Sequence, residues 1–375
     1  MDFSAVERAL EEAVQKGVFP GAVLLVSRGD ETLFERAVGS RSLEPEKAPM
    51  HVETVFDLSS LTKPLATTLA VLLLVKDRRL DLDDRVTRFF HNFGVHQKTH
   101  VTFRHLLTHT SGLAAHRPYF KEIAQLERKG RPNFVGSREA KEWLFEQIHR
   151  EKLEAPPGTR VIYSDLGFML LGQLVETVSG QTLDRFCHNR IFAPLGLRAM
   201  SFIDLSQIRT KRVEPIAEMI APTQRCPWRK RVLCGEVDDE NAYAMGGVAG
   251  HAGLFGSARD VDQLARHLKA AWRGGQGLLP AEMIDRMWTI DTSVPGSTRT
   301  LGWDSPSPTN SSAGTRMSPR TVGHLGFTGT SLWMDLERDV NVTLLTNRVH
   351  PSRDNDKLRE FRPRIHDLVM EAVGC

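Results

Sequence analysis

The sequence lacks the features that mark membrane-spanning and secreted proteins. No stretch approaches the roughly 18 consecutive apolar residues of a membrane span, and the most apolar segment, residues 65–75, has the length of a buried helix. The N-terminus carries neither the basic region of a signal peptide nor the apolar region that follows it. We therefore expect a protein without a membrane span, cytoplasmic by default, or periplasmic if a leader segment originally preceded these residues.

Cysteine and net charge are also low. The chain has four cysteines in 375 residues, and none of them forms a CxxC pair. Cys226 and Cys234 could pair in an oxidising compartment, but two reduced thiols are the expected state. The 49 Lys and Arg residues nearly balance the 46 Asp and Glu residues, and no basic block is interleaved with aromatic residues. Nucleic acid is therefore not an expected partner.

Several ligand-binding and catalytic signatures are missing as well. Neither GxGxxG nor GxxxxGK[ST] occurs near the glycine-rich block at 246–256, which argues against a nucleotide loop. The GxSxG turn of α/β-hydrolases is absent, so that route to a nucleophilic serine is excluded. His105 and His109 have i, i+4 spacing, but no HExxH motif accompanies them, which argues against a zinc site.

The apolar pattern places strands at both ends of the chain and helices between them. Period-two alternation bounded by turn residues predicts strands, and helical spacing predicts helices. The predicted segments are a helix at 3–16, strands at 22–27 and 32–38, helices within 60–181, strands at 331–335 and 340–346, and a helix at 357–373. Residues 293–318 are rich in Ser, Thr, Pro and Gly, which predicts a mobile surface loop.

These elements predict an α/β (α+β) fold. Terminal strands that meet in one antiparallel sheet, with the terminal helices covering a face, would form a discontinuous sheet domain of residues 1–64 and 255–375. Residues 65–254 would form a mainly helical lobe. We expect the active site in the cleft between the two, because active sites favour such clefts.

The first candidate for chemistry is the segment 57–64, in which Ser60 and Lys63 stand three residues apart. On a helix this spacing puts both side chains on one face, one turn apart. If a helix begins here, Ser60 lies at its N-terminal end, where developing negative charge is favoured, and Pro64 suits a first turn. A serine hydroxyl needs a base beside it, and a desolvated lysine can act as one. The motif is short, so a chance match is the alternative.

Two further segments add candidate groups. Tyr163 stands before an apolar helical run, where its phenol could enter a cleft and relay a proton to a leaving group. A tyrosine that only packs its ring is the alternative. The glycine-rich segment 323–330 stands directly before a predicted strand. Its glycines would let the backbone approach a ligand, and its free N–H groups could hold an oxyanion, unless the segment is only a turn.

Together and in this order, the three segments resemble the penicillin-recognising serine hydrolases, which include class C β-lactamases, D-Ala-D-Ala carboxypeptidases and family VIII esterases. Those proteins share S-x-x-K, Y-x-N or S-x-N, and K-T-G-like motifs. The phrases HLLTHTSGL at 105–113 and YSDLGFMLLG at 163–172 agree, and the resemblance covers about residues 19–348. It implies a β-lactamase/transpeptidase-like fold, with an antiparallel sheet flanked by helices plus a helical lobe. It also makes His105 and His109 packing residues.

The resemblance further implies roles for individual residues. Ser60 would attack the substrate carbonyl and become acylated. Lys63 and Tyr163 would share the general-base and general-acid work, and the sequence leaves open which of them takes the serine proton. The backbone N–H groups of Ser60 and Phe327 would form the oxyanion hole. No metal and no organic cofactor is implied.

Two positions depart from the family pattern. Asp165 stands where Y-x-N has asparagine, and a carboxylate there would raise the pKa of Lys63 and repel a substrate carboxylate. His324 stands where K-T-G has the lysine that helps to anchor a substrate carboxylate, and a histidine is only partly cationic at neutral pH. Arg348 could supply the missing charge. We therefore place Asp165, His324, Gly326 and Arg348 in the predicted substrate site.

The acidic and glycine-rich block at 235–256 resembles a subgroup of the same family. Asn241 and His251 could line the cleft. The alternative, which we favour, is a glycine-rich connection packed beneath the site.

The sequence thus predicts a serine hydrolase that cleaves amide or ester carbonyls through an acyl-enzyme. Because Asp165 and His324 depart from the family pattern, we rank a D-Ala-D-Ala carboxypeptidase-type peptidase first, a carboxylesterase second and a true β-lactamase third. The alternative from another class is a non-catalytic penicillin-binding or peptidoglycan-fragment-sensing protein, which has no use for Ser60, Lys63 and Tyr163 together. The expected partner is a small-molecule or peptide acyl donor. The substrate itself and the oligomeric state are not predicted.

Overall fold

The computed structural model describes residues 1–211 and 215–375. In this part of the chain the strands are β1 (Gly21–Arg28), β2 (Glu31–Ser42), β3 (Ala48–Pro49), β4 (Phe56–Asp57), β5 (Ser201–Phe202), β6 (Arg225–Cys226), β7 (Arg231–Val232), β8 (Leu254–Gly256), β9 (Thr321–Leu325), β10 (Thr330–Asp335) and β11 (Val340–Thr346). The helices are α1 (Ser4–Gln15), α2 (Leu69–Lys76), α3 (Phe103–Leu107), α4 (Tyr119–Arg128), α5 (Arg138–Arg150), α6 (Asp165–Ser179), α7 (Leu183–Cys187), α8 (Leu205–Arg209), α9 (Glu240–Ala244), α10 (Ala258–Trp272), α11 (Ala281–Trp288) and α12 (Leu358–Ala372).

The main sheet contains strands from both ends of the chain, as predicted. Its six strands have the order β3-β2-β1-β11-β10-β9, and neighbouring strands run antiparallel. Both predicted hairpins are present, since β1 pairs with β2 and β10 pairs with β11. The two hairpins join where β1 pairs with β11, and there Ala22 lies opposite Thr346.

Different helices cover the two faces of this sheet. Side chains alternate in direction along a strand. Ala22 and Leu24 of β1 therefore pack in one hydrophobic cluster with α1 and α12, whereas Val23 and Leu25 belong to a larger cluster that includes α10. The terminal helices thus cover one face of the sheet, close to the bounds that the sequence predicts.

The segment after β4 does not begin as a regular α-helix. Ser59–Leu61 form a 3₁₀ turn and Lys63–Thr68 a π-helical turn, and α2 begins only at Leu69. Pro64 has no N–H to donate, so the regular hydrogen-bond ladder of an α-helix is interrupted at this point. The sequence predicts the start of a helix at Ser60, but the structure has a 3₁₀ turn there, which is tighter than an α-helical turn.

The apolar helix that follows belongs to the core. Ser59–Lys76 is long and apolar enough to cross a membrane by length and composition, with a mean hydropathy of 1.2, yet 83% of this window is buried inside the protein. Its side chains pack with α6 in the larger hydrophobic cluster. Burial in the core is therefore sufficient to account for its composition.

The prediction for residues 293–318 is wrong in one respect. The segment has no helix or strand, as expected, but Leu301 and Trp303 are buried. The N–H of Gly302 also donates to the carbonyl of Leu107 at 3.0 Å. A polar composition conceals these few apolar anchors, so the centre of the segment packs into the core instead of forming a mobile surface loop.

The larger hydrophobic cluster extends from the sheet into the helical region. Its members include Leu332 of β10 and Leu170 of α6. The division into a sheet domain of residues 1–64 and 255–375 and a lobe of residues 65–254 stays a prediction.

Candidate active site

A strained turn presents Ser60. Ser59 has a φ of +49°, a left-handed conformation that is unfavourable for a residue with a Cβ atom. The buried carboxylate of Asp57 holds this turn, because its oxygens accept the N–H of Ser59 at 2.8 Å and the N–H of Asp238 at 2.7 Å. Burial, together with the neighbouring Asp238 carboxylate, raises the pKa of Asp57 to about 7. The turn leaves Ser60 half-buried beside a cleft.

Lys63 is fully buried, and its ammonium group donates two hydrogen bonds and forms an ion pair with one carboxylate. Its Nζ lies 2.9 Å from Ser60 Oγ, 3.0 Å from the His251 carbonyl oxygen and 2.8 Å from Asp165 Oδ1. An ammonium has three N–H donors and no acceptor. A protonated Lys63 therefore has no lone pair to offer Ser60.

The charges around Lys63 favour its protonated form. Burial alone would lower the pKa of Lys63, but the Asp165 carboxylate and Tyr163 outweigh it and raise the pKa. Burial would likewise raise the pKa of Asp165, but Lys63, His116 and His251 hold it well below its usual range. The carboxylate that replaces the asparagine of the family motif thus acts on Lys63 in the direction that the sequence predicts.

Tyr163 stands directly before α6, as predicted. Ser164 caps this helix, since its Oγ accepts the N–H of Gly167 at 3.3 Å while its own N–H donates to His109 Nδ1 at 3.0 Å. The ring of His109 packs on Tyr163, with centroids 4.4 Å apart. The guanidinium of Arg299 lies 5.1 Å from the centroid of the Tyr163 ring. Both neighbours hold the ring where it lines the cleft.

The glycine-rich segment meets the serine turn at the end of β9. The N–H of Phe327 donates to Ser59 Oγ at 3.2 Å, and Ser60 lines the same cleft. Gly326 has no room for a side chain, because a Cβ atom there would lie 2.6 Å from the Leu58 carbonyl oxygen. The predicted oxyanion donors therefore border one cleft. In this structure the Phe327 N–H is hydrogen-bonded to the hydroxyl of Ser59.

Arg348 lines the cleft, but much of its hydrogen-bonding capacity is used by the backbone. Its Nε and Nη2 donate to the Phe327 carbonyl oxygen at 3.0 and 2.6 Å, and its Nη1 donates to the Asn355 carbonyl oxygen at 2.7 Å. Burial lowers the pKa of Arg348 from its ordinary value. These contacts hold Phe327 in place more directly than they present a free guanidinium to a substrate.

His324 is buried and neutral. Its Nδ1 lies 2.8 Å from the Leu325 carbonyl oxygen, which assigns the proton to Nδ1 and makes Nε2 an acceptor. Within residues 1–211 and 215–375, Nε2 has no hydrogen-bond partner. Burial, with the charges of Lys63 and Arg299, lowers the pKa of His324 to about 3. At neutral pH this side chain therefore cannot replace the positive charge of the family lysine.

Two cavities meet at Ser60, Tyr163 and Phe327, which line both of them. The basic cavity, of about 470 Å³, is further lined by Arg299, Asp304, His324, Leu325, Gly326, Arg348, Asp356, Leu358, Arg359 and Arg362. The acidic cavity, of about 300 Å³, is further lined by Ser59, His116, Asp165, Asp238, Asp239, Glu240, His251, Ala252 and Arg353.

Asn241 and His251 have different positions. His251 lines the acidic cavity, and its carbonyl accepts a hydrogen bond from Lys63. Asn241 is fully buried, and its amide joins the backbone of Phe120 and Arg117 at 3.0 and 2.8 Å. It does not line either of the two cavities at Ser60.

Sequence reasoning missed three groups near the catalytic candidates. Arg299 packs on Tyr163, but it lies in the polar segment that was predicted to be mobile. His116 Nδ1 lies 3.8 Å from Asp165 Oδ2, and only its position shortly after the 105–113 phrase hinted at it. Asp239 Oδ1 lies 2.9 Å from His251 Nε2, and its place in the acidic block was the available signal.

The two histidines with i, i+4 spacing, His105 and His109, have different structural roles. His105 Nδ1 accepts the N–H of Thr102 at 3.1 Å and so caps α3, while His109 packs on Tyr163. No group of three or more His, Cys, Asp or Glu side chains in the described part of the chain is arranged to hold a metal ion.

The chain is similar to known proteins along nearly its whole length. A family model described as Beta-lactamase matches residues 6–365. A protein of Escherichia coli (strain K12) named "Putative D-alanyl-D-alanine carboxypeptidase" is 32% identical over 370 residues, which cover 94% of this chain and 84% of that protein. A protein of the same name from Salmonella typhi is 29% identical over 368 residues, which cover 91% of this chain and 81% of that protein.

Solved structures share the fold. EstCE1, described as a hydrolase with promiscuous acyltransferase activity, superposes with a TM-score of 0.73 at 24% identity, covering 97% of each chain. A penicillin-binding protein homologue from Pyrococcus abyssi gives a TM-score of 0.72 at 22% identity, covering 100% of this chain and 77% of that one. The predicted β-lactamase/transpeptidase-like fold is thereby confirmed. Because the family model spans nearly the whole sequence, the chain belongs to the beta-lactamase family, and it is a serine hydrolase.

Proposed function

We propose that this serine hydrolase is a carboxypeptidase-type peptidase, which forms an acyl-enzyme on Ser60 and releases a C-terminal residue from peptides that end in D-alanyl-D-alanine. The observation that carries the proposal is the basic cavity beside Ser60, which is lined by Arg299, Arg348, Arg359 and Arg362. A guanidinium binds a carboxylate through paired charge-assisted hydrogen bonds. The name of the Escherichia coli relative agrees with this substrate class.

In this proposal the serine turn supplies the nucleophile and one oxyanion donor. Ser60 Oγ bonds to the substrate carbonyl carbon, and the backbone N–H groups of Ser60 and Phe327 hold the oxygen that becomes negative. The Phe327 N–H first exchanges its contact with Ser59 Oγ for the substrate oxygen. The buried Lys63 ammonium, 2.9 Å from Ser60 Oγ, stabilises the negative charge that develops on the attacking oxygen.

The ion pair of Lys63 favours a proton relay through Tyr163. Because the Asp165 carboxylate holds Lys63 in its protonated form, the Ser60 proton passes to the Tyr163 hydroxyl, and the Tyr163 proton passes to the departing nitrogen. The C–N bond then breaks, which releases a neutral amine and leaves an acyl ester on Ser60. Water attacks this ester in the second step and releases the shortened peptide acid while the Ser60 hydroxyl is restored.

Arg299 is the proposed anchor for the carboxylate of the leaving residue. It lines the basic cavity and lies over Tyr163, so a carboxylate bound to it would place the departing nitrogen near the phenol. Its partner Asp304 lies 3.1 Å from it and can orient the guanidinium. Arg348 is less suited to this role, since its Nε and Nη2 already bind the Phe327 carbonyl oxygen.

The test compares wild type with Ser60→Ala on three acyl donors. These are diacetyl-L-Lys-D-Ala-D-Ala, benzylpenicillin and p-nitrophenyl acetate, and intact masses are recorded together with product release. We expect Ser60-dependent release of D-alanine, and a long-lived penicilloyl adduct on Ser60.

The other outcomes separate the alternatives. Rapid penicillin turnover would favour a β-lactamase, and turnover of the ester alone would favour a carboxylesterase. An enzyme that releases D-alanine equally well after Ser60→Ala would disprove the acyl-enzyme on this residue. A folded protein with no adduct and no turnover on any donor would favour the penicillin-binding or peptidoglycan-sensing alternative.

In the same assay, Arg299→Lys and Arg348→Lys separate the two candidate anchors. We expect Arg299→Lys to raise KM for the peptide about tenfold, because a lysine cannot form the paired contact, while the KM for p-nitrophenyl acetate stays constant. An unchanged peptide KM would disprove Arg299 as the anchor.

A further inference from the structure

The two cavities at Ser60 have opposite charge. Four arginines and two aspartates line the basic cavity, whereas four carboxylates line the acidic cavity against the single guanidinium of Arg353. A substrate that spans Ser60 therefore meets positive charge on one side of its scissile bond and negative charge on the other.

The carboxylates of the acidic cavity are only partly compensated by their neighbours. Asp165 is paired with Lys63, and Asp239 Oδ1 lies 2.9 Å from His251 Nε2, a contact that compensates charge only when the imidazole is protonated. Asp238 and Glu240 share one guanidinium, since Arg353 Nη2 lies 2.7 Å from Asp238 Oδ2 and Arg353 Nη1 lies 2.8 Å from Glu240 Oε1. Arg353 thus compensates one of these two charges, and His116, whose Nδ1 lies 3.8 Å from Asp165 Oδ2, adds positive charge to the cavity only when it is protonated.

One buried carboxylate oxygen of this cluster also lacks a hydrogen-bond donor. The Asp238 side chain is 3% exposed, and its Oδ1 has no hydrogen-bond partner among the residues that the structure describes. A buried carboxylate oxygen without a donor is unfavourable, so the site gains if a donor arrives. Asp165, Asp239 and Glu240 keep 21%, 25% and 19% of their side chains exposed, so a ligand can reach them from the cavity.

We propose that the acidic cavity is the acyl-side subsite and that it selects acyl groups carrying an ammonium. This rests on the proposed function, because the basic cavity is there assigned to the leaving residue. The substrate class is then a peptide with a free carboxylate after the scissile bond and a free amino group before it. An ammonium supplies the donors and the positive charge that the carboxylate cluster lacks, and an N-acetyl group supplies neither.

The test uses two matched pairs of acyl donors that differ only in one N-acetyl group. The first pair is Nα-acetyl-L-Lys-D-Ala-D-Ala, with a free ε-amino group, and diacetyl-L-Lys-D-Ala-D-Ala. The second pair is the p-nitrophenyl ester of 6-aminohexanoate and the same ester with its amine acetylated. We expect kcat/KM to be about fivefold higher for the free amine in both pairs, as for one partly exposed ion pair. Raising the salt from 0.05 to about 1 M should shrink the ratio.

Glu240→Gln is the matched variant, and Glu142→Gln is its control. Glu240 lines the acidic cavity, whereas Glu142 on α5 pairs with Arg138 at an exposed surface. Glu240→Gln should reduce the ratio of kcat/KM for free amine over acetylated amine at least threefold. Glu142→Gln should leave the ratio as in wild type, and circular dichroism shows whether each variant is folded.

The outcomes separate this inference from the proposed function. D-alanine release with equal kcat/KM for both peptides would overturn the ammonium subsite and leave the peptidase intact. Ester hydrolysis with the expected amine preference, without peptide cleavage, would overturn the peptidase and support the subsite. An amine preference that survives Glu240→Gln and high salt would also overturn the subsite, because charge would not be its cause.

Discussion

At the scale of single residues, Ser59 contacts the Phe327 N–H that we propose as an oxyanion donor. Its hydroxyl accepts the N–H of Phe327 while its backbone is held at a φ of +49°. Ser59→Ala removes the hydroxyl that competes for the Phe327 N–H. A boronic acid that mimics the oxyanion then no longer has to displace this weak hydrogen bond, so we expect it to bind about threefold tighter. Inhibition constants for wild type and variant measure this.

Ser59→Gly serves as the companion variant. It also removes the hydroxyl, and in addition it relieves the left-handed strain, so it should be more stable than Ser59→Ala by about 1 kcal/mol. Weaker boronic acid binding in both variants would indicate that the hydroxyl assists the oxyanion hole instead of blocking it.

Asp165 is the residue whose charge most affects Lys63. Asp165→Asn keeps an acceptor for the buried ammonium but removes the charge, so we expect a loss of about 2 kcal/mol in unfolding free energy at pH 7. The pKa of Asp165 is depressed in the folded state. Its stabilisation is therefore fully present above the ordinary value of 3.8 and is lost as the pH falls below it. Urea unfolding should show the same loss at pH 8 and at pH 6.

Glu142→Gln again provides the control, since it removes an exposed i, i+4 pair and should change stability by less than about 0.5 kcal/mol. A loss for Asp165→Asn no larger than this control would mean that Lys63 does not depend on the carboxylate.

The candidate site could be predicted from sequence where chemistry is local. Ser60, Lys63 and Tyr163 stand in short motifs, so their types and spacing indicated them. The charge state of His324 could not be predicted, because it follows from burial and from Lys63 and Arg299, which are distant in sequence.

At the scale of secondary-structure elements, two glycines of α6 offer a matched pair. A Cβ at Gly172 would lie 2.9 Å from the Gly250 nitrogen, whereas a Cβ at Gly167 would meet atoms only at 3.6 Å or beyond. We expect Gly172→Ala to lose about 2–3 kcal/mol through overpacking, and Gly167→Ala to be neutral or up to about 1 kcal/mol more stable, since alanine favours a helix. Thermal unfolding of both variants tests this.

The same pair reports on the site. Gly250 precedes His251, whose carbonyl holds Lys63. Gly172→Ala should therefore lower kcat at a temperature where the variant is folded, and Gly167→Ala should not. Equal kcat values for the two variants would show that this contact does not position Lys63.

The helix α12 contains a pH-sensitive group, His366, that does not line either cavity at Ser60. His366 is buried, with Nδ1 2.8 Å from the Ser312 carbonyl oxygen, and burial lowers its pKa to about 4 from an unfolded value of 6.5. Between these values the unfolded chain binds a proton that the folded chain refuses, so stability falls as the pH falls from 6.5 towards 4. We expect wild type to lose about 2 kcal/mol more than His366→Gln between pH 7.5 and pH 5, as measured by urea unfolding. Parallel pH profiles would contradict the assignment.

The hairpins and terminal helices could be predicted because their apolar periodicity is strong. The packing of residues 293–318 could not be predicted. Leu301 and Trp303 are isolated apolar residues in a polar segment, and they become buried only when the rest of the core is assembled.

At the scale of the whole molecule, the two hydrophobic clusters should separate stability from activity. Leu10 lies in the cluster under α1 and α12, and Leu65 lies in the cluster beside Lys63; both are fully buried. Each change to alanine should lower the unfolding free energy by about 2–5 kcal/mol. We expect Leu10→Ala to keep wild-type kcat at 25 °C and Leu65→Ala to lower it. A drop in kcat for Leu10→Ala in the folded state would mean that the two faces of the sheet are coupled.

The pairing of β1 with β11 has a consequence for synthesis. The N–H of Gly21 bonds to the side chain of Asn347, 326 residues further along the chain, and at ribosomal speed that interval lasts on the order of tens of seconds. During this time the apolar strand β1 has an unpaired edge that other chains can pair with. The growing polypeptide contains Ser60 long before Phe327 is synthesised. Release of a prematurely terminated product should therefore yield aggregates with no hydrolytic activity.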